Sequence, residues 1–192
     1  MIKIFYDIET TGLNPRKHSM HQLAGLIEID NEVVGQFDIH MRPHPKAEIS
    51  DEALAVAHVT RDQILAYPEM AEAHKQLLKV LNKHIPRYKK GVKAYLAGFN
   101  NKGFADQFLR SWFSQNDDPF FSTFFWSNSL DASVFASQYL MDRRPKMKNF
   151  QLGTVAEELG LPVQGPSLHN ALYDARLVRQ IYRITTGYEI EL

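Results

Sequence analysis

The chain has 192 residues, 44 % of them hydrophobic and 23 % charged, with 22 basic side chains against 22 acidic ones and no cysteine. This length suits one domain over 1–192 that buries roughly 70 % of its unfolded surface; the composition excludes disulfides, thiolate metal sites and a protein that coats duplex nucleic acid through a large basic surplus. No run of about 18 apolar residues is present, and Asp7 falls where a secretion signal needs its apolar core, so a cytoplasmic protein with no membrane partner is expected.

Ile2-Lys3-Ile4-Phe5-Tyr6 opens a buried strand over 2–9 that closes on Asp7-Ile8-Glu9. Strand side chains alternate, so Asp7 and Glu9 share a face, roughly 6.7 Å apart at about 3.3 Å per residue. Two carboxylates this close are costly unless a cation sits between them or water solvates them on an exposed face. Oxygen ligands of this kind suit a hard divalent metal, Mg²⁺ or Mn²⁺. Thr10-Thr11-Gly12-Leu13-Asn14-Pro15 then ends the strand with two hydroxyls, a glycine and a breaker.

Strands are expected next at 22–29 and 33–41, joined by the turn Asp30-Asn31-Glu32. Leu77, Leu78, Leu81 and Ile85 recur at helical spacing and predict a helix over 71–85. The basic stretch Arg87–Lys93 reads as a solvated loop or as a source of longer-range attraction for an anion. A strand at 94–99, a helix at 104–115 and a short strand near 124–129 follow. The last falls in Phe120–Trp126, whose aromatics are core, a partner interface or a platform for bases. Helices are expected at about 131–141, 151–159 and 170–185, with a second basic stretch at Arg143–Lys148. Gly165-Pro166-Ser167 lets the last helix begin near His169 or Asn170. His169 then stands on the turn ahead of the helix and Asp174 inside its first turns. Within one helix the two would point roughly 140° apart. The other histidines, His58 among them, read as ordinary structural or surface residues.

Asp7-Ile8-Glu9-Thr10-Thr11-Gly12-Leu13 resembles, without a gap, the first motif of the DEDDh 3′→5′ exonuclease family, and His169 five residues before Asp174 resembles its third. The family's second motif has Phe-Asp-x-x-Phe-Leu opening a helix. This chain reads Phe104-Ala105-Asp106-Gln107-Phe108-Leu109, so Ala105 stands where the catalytic Asp belongs. Asp106 lies about 100° further round the helix and points elsewhere. Shifting the helix by one residue to recruit it would drag Phe108 and Leu109 off the core. Ala105 is either a natural loss or an introduced, inactivating substitution; the presence of Asp7, Glu9, His169 and Asp174 around the single gap favours the second.

The resemblance covers nearly the whole chain and implies an α/β fold, a ribonuclease H-like mixed sheet flanked by helices on both faces. It implies a phosphodiester hydrolase using two divalent metal ions, Mg²⁺ or Mn²⁺, with Asp7, Glu9 and Asp174 as metal ligands and His169 as general base. Position 105 would carry the remaining acidic group. The implied partner is the 3′ end of DNA or RNA, held by Thr10, Thr11 and Gly12, by Leu13 as an apolar wedge and by Asn100; the products are nucleoside 5′-monophosphates. The alternatives are a non-catalytic module that binds nucleic-acid 3′ ends and a phosphodiesterase for a small nucleotide. The sequence does not separate DNA from RNA or fix an oligomeric state.

Overall fold

A computed structural model describes residues 1–187. The apolar opening segment becomes β1 (Ile2–Thr10), central in a five-stranded mixed sheet of order β3-β2-β1-β4-β5. β2 (Met20–Ile29) pairs antiparallel with β1, and the edge strand β3 (Glu32–His40) pairs antiparallel with β2. The turn between them places Asp30 and Asn31 at φ 51° and 74°, the doubly left-handed geometry of a tight hairpin that Asp and Asn tolerate. β4 (Ala94–Gly98) and β5 (Leu130–Asp131) run parallel to β1 on its other side.

The alternation along β1 separates two layers. Ile4, Tyr6 and Ile8 enter one core with Leu77 and Leu81 of α3 (Met70–His84) and with Phe108, Leu109 and Trp112 of α4 (Ala105–Gln115). Phe5 enters the other core with Leu177, Val178 and Ile181 of the final helix (Ala171–Thr185). Asp7 and Glu9 continue the Phe5 face, so β1 carries them along the layer of that final helix. Helices on both faces of a mixed sheet match the expectation from sequence.

Three of the remaining helices precede or follow α3 and α4 in short form: α1 (Asp51–Val56), α2 (Arg61–Leu65) and α5 (Phe121–Phe124). α6 (Ala132–Tyr139) and α7 (Leu152–Glu158) cover the second layer with the final helix, α8. α1 and α2 add to the elements expected from sequence; Ser50 caps the first and a Thr60–Gln63 capping box opens the second. The strand expected near 124–129 is corrected. Phe121–Phe124 is a helical turn, Phe125 makes one isolated bridge to Ala94, and the paired strand is Leu130–Asp131. The physical reason is packing: Phe121, Phe124 and Phe125 all turn into the core around Phe113, which an alternating strand cannot do.

A buried charge cluster fixes α8 over the sheet. Lys3 and Arg179 both donate to Glu28, at 2.6 and 2.7 Å, and Lys3 and Glu28 are 2 % and 1 % exposed. Burial pushes the Glu28 carboxyl up, but the hydrogen bonds from Lys3 and Arg179 more than offset it and leave it below its usual value. No described helix is long and apolar enough to cross a membrane.

Candidate active site

The start of α8 brings the two distant motifs together. Asn170 is its N-cap, its side chain accepting from the Tyr173 amide at 3.2 Å. The residue ahead, His169, adopts φ 66°, and its backbone amide donates to Asp174 Oδ2 at 3.0 Å. The chain therefore turns at His169, leaving the imidazole exposed while Asp174 is 4 % exposed in the first turn. Ligand atoms of Glu9, His169 and Asp174 all lie within 4.8 Å of one another. Asp7 shares the strand face of Glu9 and interacts electrostatically with both Glu9 and Asp174.

The electrostatics of this cluster are those of an uncompensated anionic site. Burial pushes the Asp7 carboxyl up to about 8, helped by the charge of Asp174. Burial, then Asp7 and Asp174, push Glu9 up to about 9. Burial raises Asp174 to about 6, opposed by the His169 amide. Its Oδ1 is buried with no hydrogen-bond partner. Three hard oxygen donors, driven toward neutrality for want of positive charge and including an orphaned buried oxygen, fit a divalent cation well. Burial and then the nearby His58 hold His169 below the ordinary imidazole value. His58, on the turn after α1, reads from sequence as an ordinary histidine; only the fold brings it beside His169.

The second motif opens α4, and Ala105 joins the same core as Tyr6, Phe108 and Leu109. Ala105 is the first residue of α4 and is 3 % exposed. Asp106 lies in the opposite layer from Asp7. Its Oδ1 accepts from the Tyr6 hydroxyl and, at 3.1 Å, from the Asn101 amide, and its Oδ2 accepts from Ser129 at 2.7 Å. Tyr6 is the neighbour of Asp7 on β1 and faces the other way.

The expected nucleotide contacts are disposed unequally. Thr10 spends its hydroxyl proton on the Gly12 carbonyl at 2.9 Å, and Thr11 spends its own on the Glu48 carbonyl at 2.7 Å while accepting from the Ser19 amide. Thr11 is wholly buried. Both hydroxyls thus hold the turn after β1. A Cβ on Gly12 would stand 2.3 Å from the His18 ring, so only glycine fits there. Leu13 is 83 % exposed on that turn, an apolar side chain open to solvent. Asn100, at φ 53°, is held by its amide to Asp131 Oδ1 at 2.9 Å and lines a cleft.

That cleft, about 860 Å³, runs from His169 and Asp174 to a far wall that includes Arg144, Lys148 and Phe150. Arg144 and Lys148 of the second basic stretch thus line the same opening as His169 and Asp174, with Glu157 among them. The other, Arg87–Lys93, precedes the start of β4, at the opposite end of that strand from Asn100.

The family model of the exonucleases (RNase_T) matches residues 4–182. The chain belongs to this family. The resemblance to the DEDDh 3′→5′ exonucleases is thereby borne out, and the fold is the ribonuclease H-like one. Among curated proteins, it is 26 % identical over 181 residues to a PolC-type DNA polymerase III of Thermotoga petrophila, covering 93 % of this chain and 11 % of that one. A PolC-type polymerase of Mycoplasmopsis pulmonis is 23 % identical over 180 residues, with the same coverages. The chain thus spans about a tenth of the length of these relatives. Among solved structures, E. coli exonuclease I in complex with a dA16 oligonucleotide superposes with a TM-score of 0.75 at 17 % identity, covering 98 % of this chain and 41 % of that one. The zinc-bound exonuclease I–single-stranded DNA complex gives a TM-score of 0.73 at 17 % identity, with coverages of 97 % and 40 %.

Proposed function

We propose that this exonuclease-family chain is built for metal-dependent release of nucleoside 5′-monophosphates from nucleic-acid 3′ ends. The observation that carries the reading is the meeting of Glu9 and Asp174 with an exposed His169, Asp7 being coupled to both carboxylates, beside a cleft lined also by basic and aromatic side chains. Asp7, Glu9 and Asp174 are the residues that would hold divalent cations, Mg²⁺ or Mn²⁺, which when bound would supply Lewis acidity and offset charge developing in the reaction.

The chain's own residues supply the rest. His169 is held below its usual pKa and is neutral near pH 7, so its free ring nitrogen accepts the proton of the attacking water. The new bond is water oxygen to phosphorus; the broken one is phosphorus to the 3′ oxygen, which takes a proton from solvent and leaves as the hydroxyl of the shortened strand, while His169 returns its own proton to solvent. The Asp174 carboxylate steadies the turn that carries His169 by accepting its amide. Leu13 packs against the terminal base, and Asn100 positions the strand at the cleft wall. Apolar packing of this kind carries little base information, so sequence preference is weak.

Ala105 supports a second reading, a module that binds 3′ ends without cutting. A methyl group ligates nothing, and Asp106 is committed to Tyr6, Asn101 and Ser129. We therefore expect this chain to bind its substrate and to cleave it slowly or not at all. The deciding experiment follows mononucleotide release from labelled single-stranded DNA and RNA with Mn²⁺, before and after Ala105→Asp. Release by the Asp form supports the exonuclease; inert behaviour of both, with 3′-end binding retained, supports the binding module.

A further inference from the structure

The cleft does not end at its basic wall. Phe150, Arg144 and Ser133 line both the 860 Å³ cleft and a second open groove of about 500 Å³ that follows α6. Between the two, the Arg144 guanidinium lies 3.6 Å from the Phe150 ring centroid, a stacked cation–π pair. Beyond it, Val134, Gln138 and Met141 recur at helical spacing, and Val134 and Met141 are 63 % and 65 % exposed. Among the described residues neither Arg144 nor Lys148 is paired with a carboxylate, whereas Arg143 is tied to Glu158 at 3.6 Å. The junction is positively charged, planar and open on both sides.

We propose that the α6 groove is the path of the single strand upstream of its 3′ end, with the Arg144–Phe150 stack as the step between the terminal site and this path. The proposal rests on the exonuclease reading and extends it to the strand's course. Charge complementarity and continuity with the acidic cluster select a polyanion, and an aromatic–guanidinium platform selects one whose base faces are free. A paired duplex offers no such faces except at its end. The upstream bases lie against Val134 and Met141, where contacts are apolar and indifferent to base identity.

The test measures binding of fluorescein-labelled oligothymidylates to the chain as it stands, with Mn²⁺, by anisotropy. A dinucleotide reaches only the terminal site; an octanucleotide reaches the groove. Arg144→Ala with Phe150→Ala, at residues that touch both the cleft and the groove, is expected to weaken the octanucleotide about 10- to 100-fold, the usual effect of losing a stacking step, and the dinucleotide by a smaller factor. Val134→Asp, on an exposed part of α6, is expected to weaken the octanucleotide selectively and more so at low salt. Unchanged octanucleotide binding by both variants overturns the path and leaves the exonuclease reading standing. Equal weakening of both lengths also overturns it, by assigning Phe150 to the terminal site. No binding of either length overturns both.

Discussion

Tyr6 donates its hydroxyl to Asp106 from the face of β1 opposite to Asp7. Consecutive residues of one strand thus serve two layers, Asp7 in the acidic cluster and Tyr6 in the core under α4. The bond fixes the Asp106 side chain in that core, which Ala105 also joins. Asp106 is 7 % exposed and has three hydrogen-bond donors around it, so its carboxylate is occupied without any metal.

Asp106→Ala should therefore damage the fold and not the acidic site. It strands the Tyr6 hydroxyl and the Asn101 amide in the interior, and buried polar groups left without partners cost about 1–3 kcal/mol each. A net loss of about 2–4 kcal/mol lowers Tm by roughly 5–15 °C for a chain of this size. Mn²⁺ titration calorimetry on the folded variant should give the heats of the parent. Abolished heats would make Asp106 a ligand and move the second motif by one residue.

Metal-free protein should lose stability as pH rises. Asp7, Glu9 and Asp174 are raised to about 8, 9 and 6 in the fold, so their neutral forms are favoured over those of the unfolded chain, where carboxyls titrate near 4. Stability from this source is complete below about pH 4 and declines as each group is forced to ionise, through about pH 9. Asp7→Asn removes one of the mutually repelling charges and should raise Tm at pH 9 by roughly 5–10 °C in chelator, about 2–3 kcal/mol, with a smaller gain at pH 5. A thermal melt series across pH checks both, and a flat profile would show that the cluster is already compensated.

Added Mn²⁺ should reverse that decline, because bound cations convert repulsion into ligation. The stabilisation should grow with pH and reach about 3 kcal/mol when free metal exceeds Kd by about a hundredfold. Asp7→Ala and Asp174→Ala should each remove most of the calorimetric signal. Equal heats for parent and variants would place the metal elsewhere.

His169→Ala, in an Ala105→Asp background, should reduce turnover by about 10²–10⁴-fold, the range for a positioned general base. The affinity for a 3′ end should change little, since the imidazole is exposed and the turn is held by its backbone amide on Asp174. A loss confined to affinity would make His169 a substrate contact.

Strands β1 to β4, the hairpin and the start of α8 are legible in the sequence because they follow local rules: alternation in β1, Asp30-Asn31 at the turn, Gly165-Pro166-Ser167 ahead of the last helix. The short helices α1 and α2 are not, although Ser50 and Thr60 cap them. The pairing of Asp7 and Glu9 with Asp174 is legible only through motif resemblance, since 165 residues separate the last two and no local rule spans that distance. What escapes the sequence is what depends on neighbours. Phe121, Phe124 and Phe125 favour strand by propensity, yet the core around Phe113 winds them into a turn. The hydroxyls of Thr10 and Thr11 look free for a ligand until Gly12 and Glu48 supply carbonyl acceptors. His58 carries no local mark at all; the fold sets it beside His169.

Ala105→Asp should turn an inert or nearly inert protein into an active nuclease. Residue 105 opens α4, and Phe108 and Leu109, both buried at 2 %, fix the rotation of that helix. With Asp106 committed to Tyr6, Asn101 and Ser129, the motif resemblance leaves position 105 for the fourth carboxylate beside Asp7, Glu9 and Asp174. An electrostatic group of this kind is typically worth about 3–4 kcal/mol in the barrier, or roughly 10²–10³ in rate. The same substitution buries another carboxylate at a site 3 % exposed, so in chelator the substituted protein should melt below the parent and regain the difference with Mn²⁺. Mononucleotide release from a labelled oligonucleotide and paired melts with and without Mn²⁺ test the two halves together. A rate gain without metal-dependent recovery would mean that the introduced carboxylate acts on the substrate directly; recovery without a rate gain would leave a binding module with a completed metal site.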